Sequence, residues 1–151
     1  MLRILLTKLT NTHHRVEFVR ANGVRDGAEL QTRSFLLHDL VHFGVESEAK
    51  LRRAFYGTIA DGMLYSEIAA HPPRNPEAVF TERVVAMLQK CAKGELKTYG
   101  FVAMLREFPD GGNADWLSQD FVKRALERVR RAQGQWKATP FRRTMELALV
   151  A

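Results

Sequence analysis

The stretch Ser34-Phe-Leu-Leu-His-Asp-Leu-Val-His-Phe-Gly-Val-Glu46 is where the chain changes from an alternating pattern to a helical one. Ser34 belongs to the residue types that cap helix N-termini, so the sequence predicts a helix that begins at Phe35. Glycine weakens a helix interior, and Gly44 therefore predicts a bend within this segment. The predicted core-facing stripe consists of Leu37, Leu40, Val41 and Gly44.

Before this stretch, apolar and polar residues alternate as they do in half-buried strands. The alternation predicts three antiparallel strands, near residues 2–7, 15–20 and 28–33, arranged as a meander. Residues 11–14 would form the first connection. Asn22-Gly23 would form the second, because both residues tolerate the positive φ that tight turns require.

The C-terminal residues show the same alternation. Met145, Leu147 and Leu149 alternate with Glu146, Ala148 and Val150 and predict a strand that returns to the N-terminal sheet. An alternative remains, because Thr139-Pro140 would also suit the start of a helix.

Between these strand-forming regions, apolar residues recur with helical spacing. The best-defined start is Asn75-Pro-Glu77, which combines a capping side chain, a proline at the first position and an acid in the first turn. Residues 63–75 predict an irregular segment. A long helix is predicted to follow a cap at Asn113 or Asp115 and to end near Gln133. The predicted helical segments after the opening stretch are 48–60, 76–94, 96–107 and 114–133.

These patterns predict one α+β domain over residues 1–151. Its sheet would be a small antiparallel N-terminal meander joined by the C-terminal strand. Four or five helices would pack against that sheet.

Composition excludes several classes of protein. Cys91 is the single cysteine, so an internal disulfide and a cysteine-rich zinc site are both impossible, which fits a reducing compartment. No apolar run approaches the ~20 residues that cross a bilayer. The apolar run at the N-terminus is too short for a signal peptide. We therefore expect a cytoplasmic protein without a membrane partner.

His38, Asp39, His42 and Glu46 are the strongest candidates for a functional site. In a helix, His38, His42 and Glu46 share one stripe because they lie four residues apart. Two imidazoles and a carboxylate can bind a divalent metal. Glu46 lies two turns from His38, so an ion would need a third ligand from elsewhere, such as His13, His14, His71 or a carboxylate. The alternative is a structural hydrogen-bonded network formed by His38, Asp39 and His42.

A basic surface is the second candidate. The net charge is +6, and basic residues concentrate on the predicted helix 114–133. Such a surface can contact the phosphates of nucleic acid or another polyanion. A solvated helix face with intrahelical ion pairs gives the same pattern. The candidate polyanion-binding residues are Lys123, Arg124, Arg128, Arg130 and Arg131.

The run Thr32-Arg-Ser-Phe-Leu-Leu-His-Asp-Leu-Val-His-Phe-Gly-Val-Glu46 resembles one found in a group of small, uncharacterised bacterial proteins. They carry a similar Leu-x-His-Asp-Leu-x-His-Phe segment after a short strand-rich start. The resemblance implies a bacterial cytosolic origin. It implies no catalytic residue, because no activity is assigned to the group.

Three functions are therefore expected, in this order. The first is a binding or assembly module, with a protein partner or self-association, in which the histidine network is structural. The second is a hydrolase-like metal-dependent enzyme with His38 and His42 as ligands and with Glu46 or Asp39 as ligand, orienting group or base. The third is a nucleic-acid or polyanion binder.

Overall fold

A four-stranded antiparallel sheet forms one layer of the protein in the computed structural model, which describes residues 1–108 and 114–150. The strands are β1 (Leu2–Lys8), β2 (His13–Arg20), β3 (Arg25–Gln31) and β4 (Thr144–Leu149). Their order in the sheet is β3-β2-β1-β4. This confirms the predicted meander and the predicted C-terminal strand, which pairs with β1.

The register of the sheet follows from the alternating pattern. Leu6 lies opposite Val16 on β2 and opposite Met145 on β4, and all three side chains are buried. A shift of one residue would turn this apolar face towards solvent, so burial fixes the pairing. Gly23 has a φ of 87° in the turn between β2 and β3, a conformation that glycine adopts without steric cost.

Helices cover the apolar face of the sheet. The described residues form six helices: α1 (Thr32–Ala49), α2 (Phe55–Ala60), α3 (Tyr65–Ala70), α4 (Pro76–Ala92), α5 (Phe101–Arg106) and α6 (Gln119–Ala138). The fold is therefore α+β, as predicted. The start of α4 is also as predicted, since the Asn75 side chain accepts a hydrogen bond from the Ala78 N–H and Pro76 takes the first position.

Helix α1 differs from the prediction at its start and in its middle. It begins at Thr32, so Ser34 lies inside the first turn and donates its hydroxyl to the side chain of Gln31 instead of capping the helix. Gly44 lies within one continuous helix. A Cβ at Gly44 would come within 2.9 Å of both the Ala125 carbonyl oxygen and a Val129 methyl group. The glycine therefore permits close contact between α1 and α6.

Other helix boundaries also correct the sequence prediction. Residues 48–60 do not form one helix, because α1 ends at Ala49, the next residue, Lys50, has a left-handed φ of 54°, and α2 begins at Phe55. The segment expected to be irregular contains α3. The cap of α6 is Ser118, which accepts from the Phe121 N–H; Asp115 precedes it and Asn113 lies outside the described residues. The helix also continues past Gln133 to Ala138.

Helix α1 lies between two apolar clusters. On one side, Val41 and Val45 pack with residues of α4, α5 and α6. On the other side, Leu40 and Phe43 pack with the sheet and with α2 and α3. Among the described residues, no helix has the length and apolarity needed to span a membrane.

A candidate metal site beside an apolar cavity

A cavity of about 250 Å³ lies between α1, α4 and the α2–α3 segment. Both histidines of the sequence motif lie in its wall. Its lining residues are Phe35, His38, Asp39, His42, Phe55, Tyr65, Ile68, Ala69, Pro72 and Glu82.

His42 is buried and is held through both of its ring nitrogens. Nδ1 lies 3.0 Å from Oε2 of Glu46, one helical turn further along α1. Nε2 lies 3.0 Å from Oε1 of Glu82 on α4. The side chain of Glu46 is fully buried, whereas that of Glu82 is 56% exposed. The buried carboxylate of Glu46 therefore fixes one ring nitrogen of His42, whereas the exposed carboxylate of Glu82, which can change its rotamer, contacts the other.

Glu46 owes its rigidity to the start of α2. Its Oε1 accepts hydrogen bonds from the backbone N–H groups of Tyr56, at 2.9 Å, and Gly57, at 3.2 Å. Ala54 precedes α2 and has no capping side chain, so the carboxylate of Glu46 supplies the cap from another helix. Glu46 therefore links the orientation of His42 to the placement of α2.

His38 lies one turn before His42, and the centroids of the two rings are 4.8 Å apart. Nδ1 of His38 lies 3.0 Å from Oε1 of Gln89 on α4. Ligand atoms of His38, His42 and Glu82 all lie within 4.8 Å of one another. Two helices therefore bring two imidazoles and one carboxylate to a single point on the cavity wall.

The charges of this group depend on one another. Burial lowers the pKa of His42, but its hydrogen bonds to Glu46 and Glu82 and the charges of those carboxylates outweigh burial and raise it to about 10. Burial raises the pKa of Glu82, but the hydrogen bond and charge of His42 outweigh it, so the pKa is lowered. Without a metal, a proton on His42 holds the two carboxylates together.

Asp39 lies in the cavity wall without a hydrogen bond to either histidine. Its backbone carbonyl accepts from the Tyr56 hydroxyl at 3.1 Å. Burial raises the pKa of the Asp39 carboxyl group to about 7, although the charge of His42 acts to lower it. Burial, followed by the charge of Asp39, raises the pKa of Tyr65 in the same wall.

Of the candidate metal ligands that the sequence predicts on α1, two lie together at the cavity and one does not. His38 and His42 lie together, whereas Glu46 stands behind His42 with both oxygens engaged. Glu82 takes the third place, and sequence analysis missed it because no local pattern shows which residue of α4 faces α1. His13, His14 and His71 are not in the group that the described residues form.

The five basic candidates all lie on α6, but they are not equivalent. Glu48 on α1 accepts from Nε of Arg124 at 2.7 Å and also from Nε of Arg128. Burial raises the pKa of Glu48, but these two arginines outweigh it and lower the pKa. Lys123, Arg130 and Arg131 are exposed.

Comparisons with protein-family models, curated proteins and solved structures found no match for this chain.

Proposed function

We propose that this protein binds a divalent transition-metal ion through His38, His42 and Glu82 and uses it on a small molecule held in the adjacent cavity, as metal-dependent hydrolases do. One observation carries the proposal: two histidines and a carboxylate converge within 4.8 Å at the wall of a cavity. Three protein ligands with a position left for water or substrate are typical of catalytic zinc sites. Two histidines with one carboxylate also suit other first-row metals.

The hydrogen bonds behind the histidines support this proposal. Each Nδ1 faces an oxygen acceptor, Gln89 for His38 and Glu46 for His42. An acceptor at Nδ1 favours the ring form that carries its proton there and leaves the Nε2 lone pair for a metal. Metal-binding histidines usually donate their other N–H to a carboxylate or carbonyl in this way.

The ligand atoms lie somewhat farther apart than they would around a bound ion. Ligand atoms at about 2.0–2.2 Å from one tetrahedral ion are roughly 3.3–3.6 Å apart. Parts of the group of His38, His42 and Glu82 would therefore move together by about 1 Å, and the Glu82 side chain, which is 56% exposed, is free to rotate towards the ion. The ion would replace the proton that joins His42 to Glu82.

The chemistry follows from the position of the site. An ion there would polarise a carbonyl oxygen or lower the pKa of bound water towards ~7. Asp39 lies in the same wall. Its carboxyl group would be the one placed to accept a proton from the bound water. This proposal takes up the metal-dependent enzyme that was expected second from the sequence, not the binding or assembly module that was expected first, with Glu82 instead of Glu46 as the carboxylate ligand.

Metal analysis tests the proposal. Protein without an affinity tag would be loaded with Zn²⁺ or Mn²⁺, dialysed and measured by elemental analysis, with affinity from calorimetry. We expect about one equivalent of metal and a higher melting temperature on loading. Glu82→Gln should weaken binding at least tenfold. Glu67→Gln, the same substitution at an exposed site on α3, should leave it unchanged.

Two outcomes would contradict the proposed metal site. The first is that the wild-type protein retains less than a tenth of an equivalent of either metal and shows no change in melting temperature. Equal affinities in the Glu82 and Glu67 variants would place the ion elsewhere.

A further inference from the structure

The cavity beside the candidate metal site has two chemically different sides. Its histidines and acids, which are His38, Asp39, His42 and Glu82, come from α1 and α4. The opposite side is built mainly from α2, α3 and the residue that follows them. Its apolar and aromatic lining residues are Phe55, Tyr65, Ile68, Ala69 and Pro72, joined by Phe35 from α1. A ligand that is polar at one end and apolar at the other would therefore bind in a single orientation.

The lining also selects on charge. None of the ten lining residues is a lysine or an arginine, whereas Asp39 and Glu82 are acids. A carboxylate or phosphate on the body of a ligand would lose its hydration here, and the one imidazolium in the wall, His42, already has both ring nitrogens facing Glu46 and Glu82. Burying an anion without a cationic partner is costly. The body of the ligand should therefore carry no negative charge.

The aromatic residues of the wall are held in place before any ligand binds. Phe55 meets Tyr65 edge-on, with ring centroids 6.5 Å apart, and lies 5.4 Å from the ring of His42. Tyr65 in turn stacks on Phe18 of the sheet, at 5.5 Å. Fixed ring edges and faces of this kind are preferred partners for another aromatic ring.

The cavity volume sets the size of the ligand. An apolar cavity of about 150 Å³ in another protein accommodates benzene. The 250 Å³ available here therefore has room for one substituted ring and a short polar group.

We infer that the ligand is a neutral aromatic acyl compound of about the size of a benzoyl group. Its ring would lie against Phe55 and Tyr65, and its carbonyl end would lie at His38, His42 and Glu82. Placement of the carbonyl end rests on the proposed metal site, whereas the choice of an uncharged ring rests on the cavity alone.

Hydroxamic acids test the ligand class in the metal-loaded full chain, because they carry an acyl group on a metal-binding head. Calorimetry should show benzohydroxamic acid binding at least tenfold more tightly than acetohydroxamic acid. A carboxylate at the far end of the ring, as in 4-carboxybenzohydroxamic acid, should remove that gain. Equal binding of the benzoyl and acetyl compounds would overturn the inference and leave the metal site standing.

Two neighbouring alanines of α3 provide a matched pair of variants. Both are exposed, but Ala69 lines the cavity and Ala70 does not. Ala69→Phe should abolish the preference for the benzoyl compound without changing the affinity for the metal. Ala70→Phe should preserve both. An unaltered preference in Ala69→Phe would place the ring outside this cavity and overturn the inference.

A measurement without metal separates the two proposals. Saturation-transfer NMR on metal-free protein should detect bound benzamide but not benzoate, and Ala69→Phe should remove the benzamide signal. If the protein binds no metal but passes this test, the proposed function fails and the ligand class stands. If benzamide gives no signal, or benzoate an equal one, the ligand class fails.

Discussion

At the scale of single residues, Glu46 is the residue of the site whose substitution should affect stability most. It is a fully buried carboxylate that serves three donors: one ring nitrogen of His42 and two backbone N–H groups of α2. A buried charge is tolerated in a folded protein only when hydrogen bonds or an opposite charge compensate it. Removing one member of a buried ion pair therefore destabilises the fold far more than removing one member of an exposed pair.

Glu46→Gln should lower the free energy of unfolding by about 2–4 kcal/mol, because the amide cannot match the charge of His42. Urea denaturation measures this. Glu82→Gln is the control, since its side chain is 56% exposed, and it should cost less than about 1 kcal/mol. Similar losses in the two variants would contradict the asymmetry seen around the His42 ring.

His14 should make stability depend on pH. It is buried on the sheet between Thr32, with which it shares a hydrogen bond, and the edge of Trp136. Burial, followed by the charge of neighbouring His13, lowers its pKa from 6.5 to about 4. The unfolded chain therefore binds the proton more tightly. The stability that His14 contributes is full above pH 6.5 and is lost as the pH falls from 6.5 towards 4.

Comparison with His14→Phe isolates this effect from His42, whose raised pKa acts in the opposite direction. Between pH 7.5 and pH 5, the wild-type protein should lose about 2 kcal/mol more stability than the variant. Chemical denaturation at the two pH values gives the difference. Parallel changes in both proteins would show that His14 accepts its proton without disturbing the fold.

At the scale of elements, the contact between α1 and α6 depends on the missing side chain of Gly44. Alanine favours a helix over glycine by about 1 kcal/mol. Here, however, the added Cβ would lie 2.9 Å from the backbone of Ala125. Gly44→Ala should therefore destabilise the protein by about 1–3 kcal/mol.

Gly134 provides the control. It lies within α6, and an added Cβ would meet nothing within 4 Å. Gly134→Ala should stabilise the protein by about 0.5–1 kcal/mol, because only the helix preference changes. Thermal unfolding of both variants measures the two changes in stability, which should have opposite signs. A stabilised Gly44→Ala protein would contradict the close contact between α1 and α6.

The elements also show what the sequence could predict. Alternation in residues 2–7 and 145–149 specified strands, and Asn75-Pro76 specified a helix start, because both signals are local. Ser34 was a wrong cap since α1 starts directly after β3, at Thr32. The role of Glu82 could not be predicted, because it depends on how α4 packs against α1.

At the scale of the whole molecule, the excess of positive charge is distributed unevenly over α6. Arg124 and Arg128 donate hydrogen bonds to Glu48, which leaves Lys123, Arg130 and Arg131 as the candidates that do not contact this carboxylate. If the protein binds polyanions, these three residues should determine the strength of retention on heparin.

We expect the triple variant Lys123→Gln, Arg130→Gln, Arg131→Gln to elute from heparin at lower salt than the wild-type protein. Arg124→Gln with Arg128→Gln should change the elution less, because Glu48 already neutralises part of their charge. Elution of the wild-type protein in the void volume at low salt would end the polyanion proposal.

The position of β1 between β2 and β4 has a consequence for biosynthesis. One partner of Leu6 is ten residues away, at Val16, whereas the other, Met145, is 139 residues away. On the ribosome the hairpin can form early, but one side of β1 stays open until the 139 residues that separate Leu6 from Met145 have been translated. Contacts so distant in sequence slow folding. The nascent chain therefore presents an unpaired strand edge over that interval, in which a chaperone would protect it from aggregation.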